Sequence, residues 1–145
     1  MGRKIVVDEW IYYYFSRGEY PTLLKFLKKV KCECHKIVLE RSSRIEKKIF
    51  RISKESYRIL EGRDISRLLF GGILQDSEKC EWISKRRESD SAIKEKIHRK
   101  DIYLVELAIS SKSEIVITTD RELCEAISEN LGIECVMPEE FLSDE

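Results

Sequence analysis

The chain of 145 residues has the length of one ordinary domain, and 42% apolar residues at a mean hydropathy of -0.37 describe a globular protein and exclude a disordered one. No apolar run approaches the ~18–20 residues of a membrane span, and the N-terminal stretch meets Asp8 and Glu9 too early for a secretory leader, so a cytoplasmic protein is expected. The formal charge is zero but sorted along the chain: residues 1–40 hold eight basic and five acidic side chains, residues 41–100 seventeen and ten, and residues 101–145 two and twelve.

Taken in chain order, Lys4-Ile5-Val6-Val7-Asp8 is the first of three similar runs. The others are Lys36-Ile37-Val38-Leu39-Glu40 and Glu114-Ile115-Val116-Ile117-Thr118-Thr119-Asp120. Each is aliphatic without alternation, as in a parallel strand covered on both faces. Between the first two, Leu23, Leu24, Leu27 and Val30 mark a helix entered near Pro21. Ile45, Ile49 and Ile52 mark the next. Tyr57, Leu60, Leu68, Leu69 and Ile73 predict one or two further helices, broken near Gly62 and stopped near Gly71-Gly72. Residues 76–98 are polar and hold a short strand around Cys80–Ile83, a basic loop at Lys85-Arg86-Arg87, or both. A helix from about 99 to 111 carries Ile102, Val105, Ala108 and Ile109 on one face. Another, with Leu123, Ala126, Ile127 and Leu131, ends at Gly132. A short strand over Ile133 to Met137 closes the pattern. Strands alternating with helices imply an α/β fold, a sandwich built on a mostly parallel sheet of four or five strands, and no linker divides residues 1–145 into more than one domain.

In an open parallel sheet, ligands bind beyond the carboxyl ends of the strands, where the strand order reverses. Asp8, Glu40 and Asp120 each sit at such an end, and Asp101 joins them from the start of its helix, on the face shared with Val105 and Ala108. Four carboxylates in one crevice repel one another unless their pKa values rise or hard divalent cations neutralise them. A pair of Mg²⁺ or Mn²⁺ ions in such a site hydrolyses phosphodiesters, and the basic middle of the chain, Lys85, Arg86 and Arg87 above all, is suited to hold the phosphates of an RNA. Each acid also has a purely structural reading. Asp8 is placed to cap the helix starting at Trp10. Glu40 and Asp101 are placed as acids favourable at a helix N-terminus. Thr119 to Glu122 fits a capping box with Thr119 as cap and Glu122 reaching back.

The remaining signals are weaker. Tyr12, Tyr13, Tyr14 and Trp82 could stack on bases, although the tyrosines more often form core or dimer surface. His98 lies near Asp101 and could assist proton transfer. Cys32-Glu33-Cys34-His35 lacks the second pair of ligands that a zinc site needs. A 37% charged fraction with a single Asn130 and a single Gln75 is the composition of a thermophile, in which some of the five cysteines could pair. No GxGxxG, Walker A, GxSxG or HExxH motif is present.

Asp101-Ile-Tyr-Leu-Val-Glu-Leu-Ala108, followed by Ile115-Val-Ile-Thr-Thr-Asp120, resembles the Asp-led helix and the strand ending in Thr-x-Asp of the PIN domain, a family of metal-dependent ribonucleases that includes VapC toxins. The similar stretches, Lys4–Phe15, His35–Ile49 and His98–Leu142, cover about half the chain. The resemblance implies a PIN-like fold, with Asp8, Glu40, Asp101 and Asp120 as the family's four acids in order and Thr118 as its hydroxyl residue. It also implies Mg²⁺ or Mn²⁺, an RNA substrate and a homodimer, and raises an antitoxin protein as partner. Trp10 departs from the pattern, which has a small polar residue two places after the first acid; an indole beside the cleft would alter metal hydration or substrate access. The expected function is a metal-dependent endoribonuclease, and the alternative is a catalytically silent PIN-like module that binds RNA or protein.

Overall fold

The computed structural model describes residues 2–143. Five strands form one sheet: β1 (Lys4–Val7), β2 (Lys36–Glu40), β3 (Cys80–Ile83), β4 (Ile115–Ile117) and β5 (Glu134–Val136). All pairings are parallel, in the order β3-β2-β1-β4-β5. Such a sheet must be covered on both faces, and the side-chain alternation of β1 shows how. Ile5 and Val7 enter one core with Ile37, Leu39 and Ile117, whereas Val6 enters a second with Val38 and Val116. The aliphatic runs lack polar alternation because both faces of each strand are interior.

The first core is closed by α1 (Trp10–Ser16), α2 (Tyr20–Cys32), α3 (Arg44–Glu55) and α4 (Leu60–Ser66), and by Phe141 from α8 (Pro138–Ser143). The second is closed by α6 (Ile102–Ser111) and α7 (Arg121–Leu131), with Ile93 of α5 (Ser91–Lys96) against it. The result is a three-layer α/β fold compatible with a PIN-like one. Among the described residues no helix is long and apolar enough to cross a membrane.

Two local expectations need correction. The helical break falls at Ser56–Ile59, where a short 3-10 turn ends in extended backbone at Ile59, and not at Gly62. Gly62 sits inside α4 because the backbone of Ser56 lies so close that a Cβ would stand 3.0 Å from its carbonyl oxygen. Gly71-Gly72 does not stop the helix either. The chain runs through them in wide π-type turns over Arg67–Leu74, with Leu69, Ile73 and Leu74 buried, so packing overrides the glycines' weak helix propensity. The helix expected to end at Gly132 does so: Gly132 closes α7 in the left-handed region at φ 64°.

The chain leaves β1 for β2 on one side, and later places β4 on the other. The order therefore reverses between β1 and β4, and it is beyond the carboxyl ends at such a reversal that open parallel sheets bind ligands.

Candidate acidic site at the carboxyl edge of the sheet

Because β2, β1 and β4 are parallel neighbours, Glu40, Asp8 and Asp120 all fall at the same edge. Asp8, just beyond β1, is half-buried and held from three directions. Its Oδ1 accepts the Glu9 backbone N–H at 2.7 Å and the Tyr103 hydroxyl at 2.6 Å, and its Oδ2 accepts the Thr118 hydroxyl at 3.2 Å. Thr118 is fully buried, and its Oγ1 also accepts the backbone N–H of Asp120 at 3.2 Å. One hydroxyl therefore ties the acid after β1 to the acid after β4. Burial, then the charge of Asp8 and its hydrogen bond, push the Tyr103 phenol far up, so it stays protonated and donating.

Asp120 caps α7, its Oδ1 accepting Leu123 N–H at 3.1 Å. The capping-box reading is thus displaced by one residue: the cap is Asp120 and not Thr119. Glu122 is exposed in the first turn of α7, on a cavity of about 240 Å³ that it shares with Asp101, Asp120, Lys96, His98 and Lys100. Asp101 stands at the N-cap position of α6 without bonding a backbone amide there. Burial raises its pKa, and the charge of Asp120, with a smaller effect of Asp8, raises it further, while Lys100 and His98 oppose. Asp101 thus feels the charge of the other two aspartates. His98 is exposed, and its Nδ1 accepts the Lys100 N–H at 3.3 Å.

Asp8 does not cap α1, whose N-cap is Glu9. Trp10 does not face the crevice: it is 3% exposed in the first core, its Nε1–H donating to the Ile117 carbonyl at 2.9 Å, with Phe26 packed edge-on. The departure from the small polar residue is absorbed beneath the sheet edge.

Glu40 has a different environment. It is buried at the end of β2, where it receives the Arg86 guanidinium at 2.7 Å and the Arg86 backbone N–H at 3.0 Å. Arg86 also donates through Nε to Glu106 at 2.9 Å. Glu106 is buried on α6 and accepts the backbone N–H and hydroxyl of Ser89. Burial pushes the Glu106 pKa up, but the Ser89 and Arg86 hydrogen bonds outweigh it and hold it low. Glu40 is therefore no solvated first-turn acid; α3 begins later, capped by Ser43, which accepts Glu46 N–H at 3.2 Å. Of the basic cluster, Arg86 is paired with these two carboxylates, while Lys85 and Arg87 are exposed.

Sequence reasoning missed Tyr103, Glu106, and the buried Glu9, which Arg44 grips at 2.8 Å. Glu106 did carry a signal, an acid inside the otherwise apolar run Leu104 to Ala108. Tyr103 carried none, since an aromatic two places after Asp101 reads equally well as core.

Carboxylate oxygens are the donors that hard divalent ions prefer, but the three aspartates stand as an open set: among the described residues no group of three or more His, Cys, Asp or Glu is gathered closely enough to hold a metal. Cys32 and Cys34 are exposed and form no zinc site with His35, whose Nδ1 instead accepts the Arg3 backbone N–H at 3.0 Å. No family model, no curated protein and no solved structure matches this chain.

Proposed function

We propose that this chain is a PIN-like, Mg²⁺- or Mn²⁺-dependent endoribonuclease in which Asp8, Asp101 and Asp120 form the metal-binding edge. The observation that carries the reading is the Thr118 hydroxyl joining Asp8 to the Asp120 backbone at the β1–β4 switch point, within electrostatic reach of Asp101. A bound divalent ion would supply an activated water and charge neutralisation at the scissile phosphate. The chain's own residues do the positioning. Thr118 and Tyr103 fix the orientation of Asp8, the cap to α7 fixes Asp120, and the unbonded Asp101 is left able to turn toward a cation. Glu40 acts through Arg86, as a strut between β2 and α6, rather than as a ligand. The family resemblance extends the proposal to a VapC-type toxin acting as a homodimer against RNA and held in check by an antitoxin protein.

The second reading is a silent PIN-like RNA- or protein-binding module. It is favoured by the pairing of Glu40 with Arg86 and by the open ligand set. Cleavage of a labelled single-stranded RNA with Mn²⁺, with chelator, and in Asp8→Asn, Asp101→Asn and Asp120→Asn proteins separates the two. Metal-dependent cleavage lost in all three variants supports the hydrolase. RNA binding indifferent to chelator, with no cleavage at any metal concentration, establishes the silent module.

A further inference from the structure

On the far side of β2 from the aspartates, a cleft of about 670 Å³ opens between α3, the wide helical turns at 67–74 and the edge strand β3. Its walls are aromatic. Trp82 is fixed by its Nε1–H on the Leu74 carbonyl at 3.2 Å, and Phe50 and Phe70 lie with ring centres 5.6 Å apart. Phe50 is 41% exposed although it sits on a helix with a well-buried opposite face. The Arg41 guanidinium lies over the Trp82 ring, 4.2 Å from its centre. That arginine directly follows Glu40, and its backbone N–H bonds the Ile83 carbonyl at 2.8 Å, so it stands at the carboxyl edge of the sheet.

The charges of the cleft are unbalanced. Arg41 and Lys36 have no carboxylate partner among the described residues, and both act on the thiol of Cys80 in the cleft wall. Glu81, the acid of the lining, is neutralised by Lys4 at 2.8 Å. The other arginines near the edge, Arg44 and Arg86, are spent on Glu9, Glu40 and Glu106. Arg41 is therefore a planar cation with its inner face on an indole and its outer side exposed.

We propose that this cleft is a nucleotide subsite for single-stranded RNA, the base stacking on the outer face of the Arg41 guanidinium and the phosphates pairing with Arg41 and Lys36. Aromatic and guanidinium planes are the usual platforms for unpaired bases, and the cleft volume lies within the range of small-ligand sites. A phosphate without a base would use the cations but not the stack, which sets the control. The proposal deepens the ribonuclease reading and rests on it for the choice of RNA; it gives the strand a hold next to Glu40, one strand away from Asp8.

Adenosine monophosphate, with ribose 5-phosphate as control, is titrated into ¹⁵N-labelled protein while the two indole N–H signals are followed. Trp10, buried in the core, is the internal reference. The expected result is a saturable shift of the Trp82 signal with adenosine monophosphate, a stationary Trp10 signal, and little response to the sugar phosphate. Arg41→Ala, an exposed change that leaves the core intact, should weaken binding at least about fivefold, the lower end of what one stacked base contributes. A Trp82 signal unmoved by the nucleotide, equal shifts with ribose 5-phosphate, or undiminished affinity in Arg41→Ala would overturn the subsite. The RNA cleavage assay keeps the readings apart. Nucleotide binding here without cleavage leaves the subsite standing and removes the hydrolase. Cleavage without nucleotide binding here does the reverse.

Discussion

Tyr103, in the first turn of α6, donates a hydrogen bond from its hydroxyl to Asp8, ninety-five residues earlier in the chain, at 2.6 Å. The pair fastens the helix on one face of the sheet to the end of the central strand. It also fixes which oxygen of Asp8 is occupied, leaving Oδ2 to Thr118 alone.

Tyr103→Phe should cost about 1.5–3 kcal/mol in urea unfolding, the range for a hydrogen bond to a charged group. It should also weaken Mn²⁺ binding in calorimetric titration, because Asp8 loses its orientation but keeps its charge. Equal metal affinity would show that Asp8 needs no such restraint. Asp8→Asn keeps one acceptor oxygen for Glu9 and Tyr103 but sets an amide N–H₂ against the Thr118 hydroxyl and removes the charge, so it should weaken Mn²⁺ binding more than Tyr103→Phe does.

Asp101→Asn should act with the opposite sign. Its carboxyl pKa is raised in the fold by burial and then by Asp120 and Asp8. The folded state therefore holds the proton more tightly than the unfolded one, and stability falls as pH rises from the unfolded value near 3.8 through the raised folded value. The variant abolishes that decline. At pH 7 it should be more stable than wild type by less than about 1 kcal/mol, given solvent screening of a half-exposed group, and the difference should vanish below pH 3.8. Thermal melts across pH measure this, and a variant less stable at pH 7 would refute it.

Arg86→Met should be the most damaging of the changes considered. It leaves Glu40 and Glu106 buried without their cation, and breaking a buried pair from one side costs about 3–5 kcal/mol. Arg86→Lys should not restore it, since one ammonium cannot bridge two carboxylates as the guanidinium fork does. Chemical denaturation of both variants is the check, and full rescue by lysine would mean that charge alone matters there. The loss should deepen with rising pH as Glu106, held low in part by Arg86, ionises without it.

Lys85→Ala/Arg87→Ala, with Arg86 retained, should weaken RNA binding similarly for all sequences, because phosphate contacts do not read bases. The salt slope should fall by about 0.7 for each contact to single strands that is lost. An RNA titration over a salt series reads it, and an unchanged slope would assign these two residues to an ordinary solvated loop.

The sequence by itself determined most of the elements and their order, but not α5 or α8. Three aliphatic runs each followed by an acid, helices with apolar stripes between them, and Gly132 after the last long helix are local features, set by side-chain branching, periodicity and backbone freedom within a few residues. That the acids Asp8, Glu40 and Asp120 lie at strand ends was legible for the same reason. The weak points were also local: Gly62 and Gly71-Gly72 read as breaks because propensity cannot see that Ser56 and the packing of Leu69, Ile73 and Leu74 hold those turns helical. What only the tertiary structure decided is which side chain meets which. Thr118 and Tyr103 reach Asp8 across more than ninety residues, and Trp10 turns under the edge to bond Ile117. Glu40 and Arg86 looked like a ligand and a phosphate contact, yet they neutralise each other. Burial is the physical reason: a carboxylate enclosed between β2 and α6 must find a cation, and which basic residue supplies it depends on the path of residues 84–90 over the sheet edge, a path no local pattern encodes.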